Sequence, residues 1–192
     1  CFKGQADYGY CAAKDETYYG FEGHIIISFQ GLVVGYTLTA ASVDERDALW
    51  DMTKSIRGVL FGDKGYIRPL LKTELAAQEE IQLETPLRKN MNETRDRRYV
   101  KCMNKVRRRV ETVIGQLSEQ FGIERVWARD LWHLTNRLVR KFLAHTVGVY
   151  FNLKQGHEPI QHEHLITAKS RASRNIWKRV RASSRRTPSF SN

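Results

Sequence analysis

The stretch VLFGDKGYIRPLLKTELAAQEEIQLET, Val59–Thr85, sets the fold class. Val59–Phe61 is a short apolar run that reads as a strand, and GDKGY, Gly62–Tyr66, closes it with a glycine-rich turn. Pro69 fits the first turn of a helix, where a missing N–H costs nothing, and the helix is predicted to extend towards Gln78. Ile81–Thr85 reads as a further strand, closed by Pro86. Strand, turn, helix and strand in that order imply an α/β domain.

Working upstream, HIIISF, His24–Phe29, reads as a strand, with LVVGYTL, Leu32–Leu38, as its hairpin partner across Gln30–Gly31. Ser42 or Asp44 can cap a helix running to about Ser55, and Gly58 resets the backbone before the next strand. Working downstream, a basic, polar stretch from Arg88 to about Arg98 precedes the most legible helix of the chain. Val106, Val110, Val113, Ile114, Leu117 and Phe121 form one apolar stripe at helical spacing, and Gly122 can terminate it. A last helix, about Asp130–Phe151, places Leu131, Leu134, Leu138, Phe142 and Val149 on one face.

Beyond Asn152 the periodic signal fades into SRASRNIWKRVRASSRRTPSFSN, Ser170–Asn192, where Ile176, Trp177 and Val180 are the sole small apolar cluster. The succession of elements fits the latter part of a ribonuclease H-like mixed-sheet α/β domain, incomplete at its amino-terminal side. The expected organisation is a catalytic-type domain over residues 1–153 and a basic, flexible extension over 154–192.

Charge gives the first functional direction. The formal charge is +11, and Lys154–Asn192 contributes nine basic residues against two acidic ones. A second basic run, Arg88–Arg109, adjoins Glu111. Such a surface suits a polyanion, with solubility as the alternative use. No apolar stretch approaches the roughly 20 residues of a membrane helix, and no secretion signal opens the chain. Cys1, Cys11 and Cys102 are too widely separated for a disulfide scaffold or zinc ribbon, so a reducing, cytoplasmic setting is expected. The first residue is Cys1 rather than methionine, which leaves processing, a fragment or an incomplete reading frame open.

Two carboxylates stand out. Asp63 follows an apolar strand, and catalytic groups collect beyond the carboxyl ends of strands in α/β sheets. Gly62 and Gly65 would give its turn backbone freedom; a solvated aspartate in a glycine turn is the plain alternative. Glu111 borders the apolar stripe, one turn after Arg107 and beside Gly115 and Ser118, and an ordinary Arg107–Glu111 helix pair is its plain alternative. His162–Glu163–His164 reads as a polar loop rather than a metal site, and His145 as a hydrogen-bonded packing residue.

An ordered set of motifs carries a family resemblance. YYGFEGHIIIS (Tyr18–Ser28), TLTAASVDERDALW (Thr37–Trp50), GDKGY, TPLRKNM (Thr85–Met91), RRRVETVIGQLSEQFGIE (Arg107–Glu124) and RDLWHLTNRLVRKFLAHT (Arg129–Thr146) together resemble bacterial insertion-sequence transposases with a DDE catalytic domain, over about Phe2–Ile166. The resemblance implies metal-dependent cleavage and strand transfer of double-stranded DNA at transposon ends, with Mg²⁺ or Mn²⁺ as cofactor and a homodimer among the assemblies it allows. It makes Asp63 the second catalytic aspartate, Glu111 the catalytic glutamate and Arg107 the arginine of the Tyr–Arg–Glu–Lys signature.

Asn104 and Ser118 occupy that signature's tyrosine and lysine positions, leaving Lys105, Arg108 and Arg109 as further DNA contacts on this helix, with Arg179 and Arg181 in the extension. The first aspartate belongs on a strand upstream of everything seen here. Asp7 and Asp15 follow no apolar strand and do not inherit the role. A noncatalytic basic DNA-binding protein is the competing expectation.

Overall fold

The computed structural model describes residues 2–11, 15–88 and 90–165. The chain forms β1 (Asp7–Cys11), β2 (Glu16–Ile27), β3 (Val33–Ala40), α1 (Glu45–Thr53), β4 (Gly58–Phe61), α2 (Pro69–Gln78), β5 (Ile81–Glu84), α3 (Arg97–Glu119) and α4 (Leu131–Lys154). Short 3₁₀ turns lie at Lys64–Tyr66 and His162–Leu165. The strands make two small open sheets, an antiparallel β1–β2–β3 and a parallel β4–β5, flanked by helices. This mixed α/β arrangement is consistent with a ribonuclease H-like architecture.

The hairpin separates two cores because side chains alternate along β2. Ile26 faces Leu49 and Met52 of α1, Leu71 and Leu75 of α2, and Ile81 and Leu83 of β5. Ile25 and Ile27 face the other way, packing with Val33, Tyr36 and Leu38 against Val113 and Leu117 of α3 and Leu138 and Phe142 of α4. A one-residue slip in the hairpin would exchange these two sets, so burial on both faces fixes the register.

Helix boundaries follow local chemistry. Asp44 caps α1 by accepting the Arg46 N–H at 2.9 Å, and Pro69 opens α2. Asp96 and Asp130 cap the two long helices by accepting the N–H groups of Arg98 and His133. At the end of α3, Gly122 takes a left-handed φ of 59°, and the Ile123 N–H reaches back to the Leu117 carbonyl at 2.9 Å. Ile123 also packs against the cluster containing Leu117, so backbone and apolar contacts terminate the helix together.

Two expectations need correction. The first strand begins at Glu16, eight residues before His24, and Asp7–Cys11 is itself a strand paired with Glu16–Gly20. This ribbon carries no apolar alternation; it is held by ladder bonds and by edge-on aromatic contact between Tyr8 and Tyr19, at 5.0 Å. The glycines flanking Asp63 are not there for positive φ. A side chain at Gly62 would press on Tyr66 at 3.2 Å, and one at Gly65 would meet the Glu45 carboxylate at 2.7 Å. Both admit close neighbours.

Residues Lys154–Leu165, the described part of the basic extension, finish α4 and then turn back over the domain. Asn152 donates from its amide to the carbonyls of Pro159 and Gln161, and Gln116 donates to that of Ile160. Ile160 lies so close to the hairpin turn that a Cβ at Gly31 would be 2.6 Å from its methyl. Arg179, Arg181 and the stretch Ser170–Asn192 lie outside the described residues.

Candidate active site

Asp63 stands just beyond β4, where its carboxylate accepts the Lys64 N–H at 2.7 Å and caps the following 3₁₀ turn. The last residue of that strand packs on the start of α3 through the rings of Phe61 and Tyr99, 6.3 Å apart. A second anchor lies at the end of β5. Arg95 donates to the buried Glu84 carboxylate at 3.3 Å and to the Thr85 carbonyl at 3.0 Å, while Lys72 donates to the same carboxylate from α2. Burial pushes the Glu84 carboxyl up, but hydrogen bonds from Gln82, Lys72 and Arg95 outweigh it and leave the group below its ordinary value.

These anchors bring α3 across the end of β4, and the two candidate carboxylates meet around one arginine. Arg107 Nε donates to Glu111 Oε1 at 3.2 Å, while its Nη2 lies 3.9 Å from Asp63 Oδ1. Both carboxylate side chains are more than half exposed, at 65% for Asp63 and 59% for Glu111. The helix pair foreseen as the plain reading of Glu111 is therefore present, and Arg107 extends it to a second acid. Asp63, Asn104, Arg107 and Glu111 share the lining of a cleft of about 200 Å³ with Pro86 and Met103.

A larger cleft of about 270 Å³ ends at Asp63 and runs between Ile25–Ile27 of β2 and Val59–Phe61 of β4. Over Phe21–Ile27, β2 pairs with β3 on one side; β4 pairs with β5 on one side. Among the described residues no strand pairs the two sheets to each other.

Acidic groups act on the α1 side of the turn. Burial, followed by the charges of Glu22 and Asp63, raises the Glu45 carboxyl, with His24 acting in the opposite direction. Burial, followed by the charge of Glu45, pushes the Tyr66 hydroxyl up to about 12. Glu45 lies in the first turn of α1 and was not singled out from the sequence. Its contact with the GDKGY turn at Gly65 depends on tertiary packing.

The basic residues of α3 separate. Arg107 faces the carboxylates, and Lys105 and Arg108 are exposed. Arg109 is occupied: it donates to Phe29 O and to Glu158 Oε1, each at 3.0 Å, and its guanidinium lies over the Phe29 ring. Ser118 donates to Glu124 at 3.0 Å. Asp7 accepts the N–H of Tyr8, and Asp15 accepts the hydroxyl of Tyr10, both on the β1–β2 ribbon. His145 is buried as expected, its Nε2 3.0 Å from Gln116 Oε1. His162 packs against it with ring centroids 4.9 Å apart.

Two exposed carboxylates offer hard oxygen donors to a divalent cation, and the guanidinium between them shows that the arrangement accommodates positive charge. Among the described residues no group of three or more acidic, histidine or cysteine side chains is placed to hold a metal. Likewise, no described helix is long and apolar enough to cross a membrane.

The family model described as Transposase DDE domain matches residues 1–131, about two thirds of the chain. The chain belongs to this transposase family. The matched span includes β1–β5, Asp63, α3 and Glu111, and ends at the first residue of α4. No curated protein and no solved structure matches the chain.

Proposed function

We propose that this chain carries two of the three metal-binding carboxylates of a DNA-cleaving and strand-transferring transposase, Asp63 and Glu111. The observation that carries this reading is their convergence on Arg107 from a strand end and a helix remote in sequence. Mg²⁺ or Mn²⁺ bound there supplies activation of the attacking hydroxyl and stabilisation of the leaving oxygen in phosphoryl transfer. The chain's own residues do the positioning. Asp63 and Glu111 present oxygen ligands, and Arg107, at the same mouth, is placed to meet a phosphate oxygen of double-stranded DNA. Asn104 lines that mouth where the family signature has tyrosine.

The third carboxylate belongs, on this reading, to an added strand lying between β2 and β4. Two strands with one unpaired side flank an apolar cleft that ends at Asp63, and an unpaired edge is a template for another strand. The test adds the segment encoded upstream of Cys1 and measures Mg²⁺-dependent nicking and joining of DNA bearing the element's ends. Asp63→Asn and Glu111→Gln should each reduce both reactions to background while preserving the fold, because each keeps side-chain shape and removes a charged oxygen ligand. Normal cleavage by either variant would refute the assignment. The added segment should also sharpen thermal unfolding; an unchanged transition would count against the proposed strand.

A second reading is DNA binding without chemistry. It is favoured by the excess of positive charge and by Lys105 and Arg108, which lie exposed on α3. Salt-dependent DNA binding by the extended chain, with no nicking in Mg²⁺ or Mn²⁺, would select it.

A further inference from the structure

A second concentration of positive charge lies on the α3–α4 connection and the first part of α4. Residues 125–141 contain Arg125, Arg129, Arg137, Arg140 and Lys141 against a single acid, Asp130. Asp130 is engaged as the cap of α4, accepting the His133 N–H at 2.8 Å and lying 2.7 Å from its ring Nδ1. Among the described residues none of the five cations has a carboxylate within ion-pair distance.

Two indoles stand among these charges. Trp127 is 86% exposed and Trp132 is 68% exposed, so neither ring is filling a core. Arg137 donates to the Trp127 carbonyl and Lys141 to that of Phe121, tying the connection to α4. The ring of Trp132 meets His133 edge-on at 4.9 Å. Arg125, Trp127, Arg137, Arg140 and Lys141 line a shallow recess of about 320 Å³.

Cations without carboxylate partners beside an exposed aromatic face match the two parts of a nucleotide: its phosphate and the flat face of its base. Bases inside a duplex are stacked on each other and cannot lie against an indole, so the chemistry selects bases that have left the stack. We propose that Trp127, with Arg125, Arg137 and Arg140, forms a binding site for unpaired nucleotides at a single-stranded tail or opened end of DNA. The site is separate from the cleft shared by Asp63 and Glu111. It has in common with the proposed function only that the ligand is DNA.

The test uses the full 192-residue chain in EDTA, so that no cleavage enters the measurement. Fluorescence anisotropy compares a labelled blunt duplex with the same duplex bearing a short single-stranded tail. The tailed DNA should bind more tightly. Trp127→Ala should weaken tailed-DNA binding about 5- to 150-fold, equivalent to ~1–3 kcal/mol for a stacked base, with a much smaller effect on the blunt duplex, whereas Trp132→Ala, outside the recess, should change tailed-DNA binding far less. Trp127→Phe should recover most of the loss, and circular dichroism should show an unchanged fold because both rings are exposed. Arg140→Gln provides a second variant and should weaken both DNAs while lowering the salt dependence. Asp63→Asn should leave tail preference intact, which separates failure of this site from failure of the catalytic assignment. Wild-type preference for tailed DNA in Trp127→Ala would overturn the proposal. So would tryptophan-dependent binding to phosphatidylserine vesicles without any preference for tailed DNA.

Discussion

Arg107 and Arg109 stand two positions apart on α3, which turns them about 200° from each other around the helix. The flank bearing Arg107 is open: its guanidinium lies among exposed carboxylates, beside a cleft. The flank bearing Arg109 is closed by residues 157–165, and the Arg109 side chain is only 14% exposed. Farther along that closed flank, Gln116 contacts both His145 and the Ile160 carbonyl. Adjacent basic residues therefore acquire different work from helical phase. One remains available to a ligand, while the other helps hold a returning segment to the helix.

The largest effect should come from Leu117→Ala, on the core face of α3, about 80° around the helix from each arginine. It should lower unfolding free energy by ~2–5 kcal/mol, measured by urea denaturation, because Leu117 is almost fully buried between α3 and α4. Arg107→Gln on the open side should change stability far less in the same experiment. Similar losses from the two substitutions would erase the distinction.

The next effect is pH-dependent. Burial, reinforced by His162, lowers the His145 pKa from 6.5 to about 4. The folded state therefore favours neutral imidazole more strongly than the unfolded state. This contribution is fully present above pH about 6.5 and is lost as pH falls towards about 4. The shift corresponds to ~3 kcal/mol over that interval. Urea midpoints measured across the window should fall with pH, and His145→Gln should flatten this part of the dependence. An unchanged slope in that variant would place the controlling titration elsewhere.

Asn152→Ala should cost ~1–3 kcal/mol by leaving the Pro159 and Gln161 carbonyls without their amide donor. Hydrogen exchange should accelerate first in residues 157–165; uniform acceleration would show that this segment does not open separately. Glu158→Gln is the mildest change. It should alter stability by less than about 1 kcal/mol, since Glu158 is half exposed, yet increase the salt dependence of DNA binding by releasing Arg109. An unchanged salt slope would mean that Arg109 remains bound to the hairpin through Phe29.

The elements surrounding the candidate site were legible because their signals are local. Gly58 does adopt a left-handed φ, Pro69 opens α2, and the period of Val106–Leu117 marks α3. The β1–β2 ribbon was hidden because tyrosines, threonine and glycines replace an apolar alternation, while Tyr8–Tyr19 contact arises only after pairing. Asp63 and Glu111 could be nominated from strand-end position, helix phase and family resemblance. Their shared contact with Arg107 could not be read from any of these signals, because it depends on how α3 crosses β4.

By itself, the sequence determined the α/β class, the long helices, the glycine that ends α3, the excess of positive charge and the residues resembling the transposase pattern. These properties follow from periodicity, local backbone preference and residue chemistry. Tertiary structure alone decided that Arg107 joins two acids, that Arg109 is occupied by Glu158 and Phe29, and that Gly62 and Gly65 admit neighbouring side chains rather than a left-handed backbone. The physical reason is that charge pairing and steric exclusion act over a few ångströms, between groups whose separation along the chain carries no record of their separation in space.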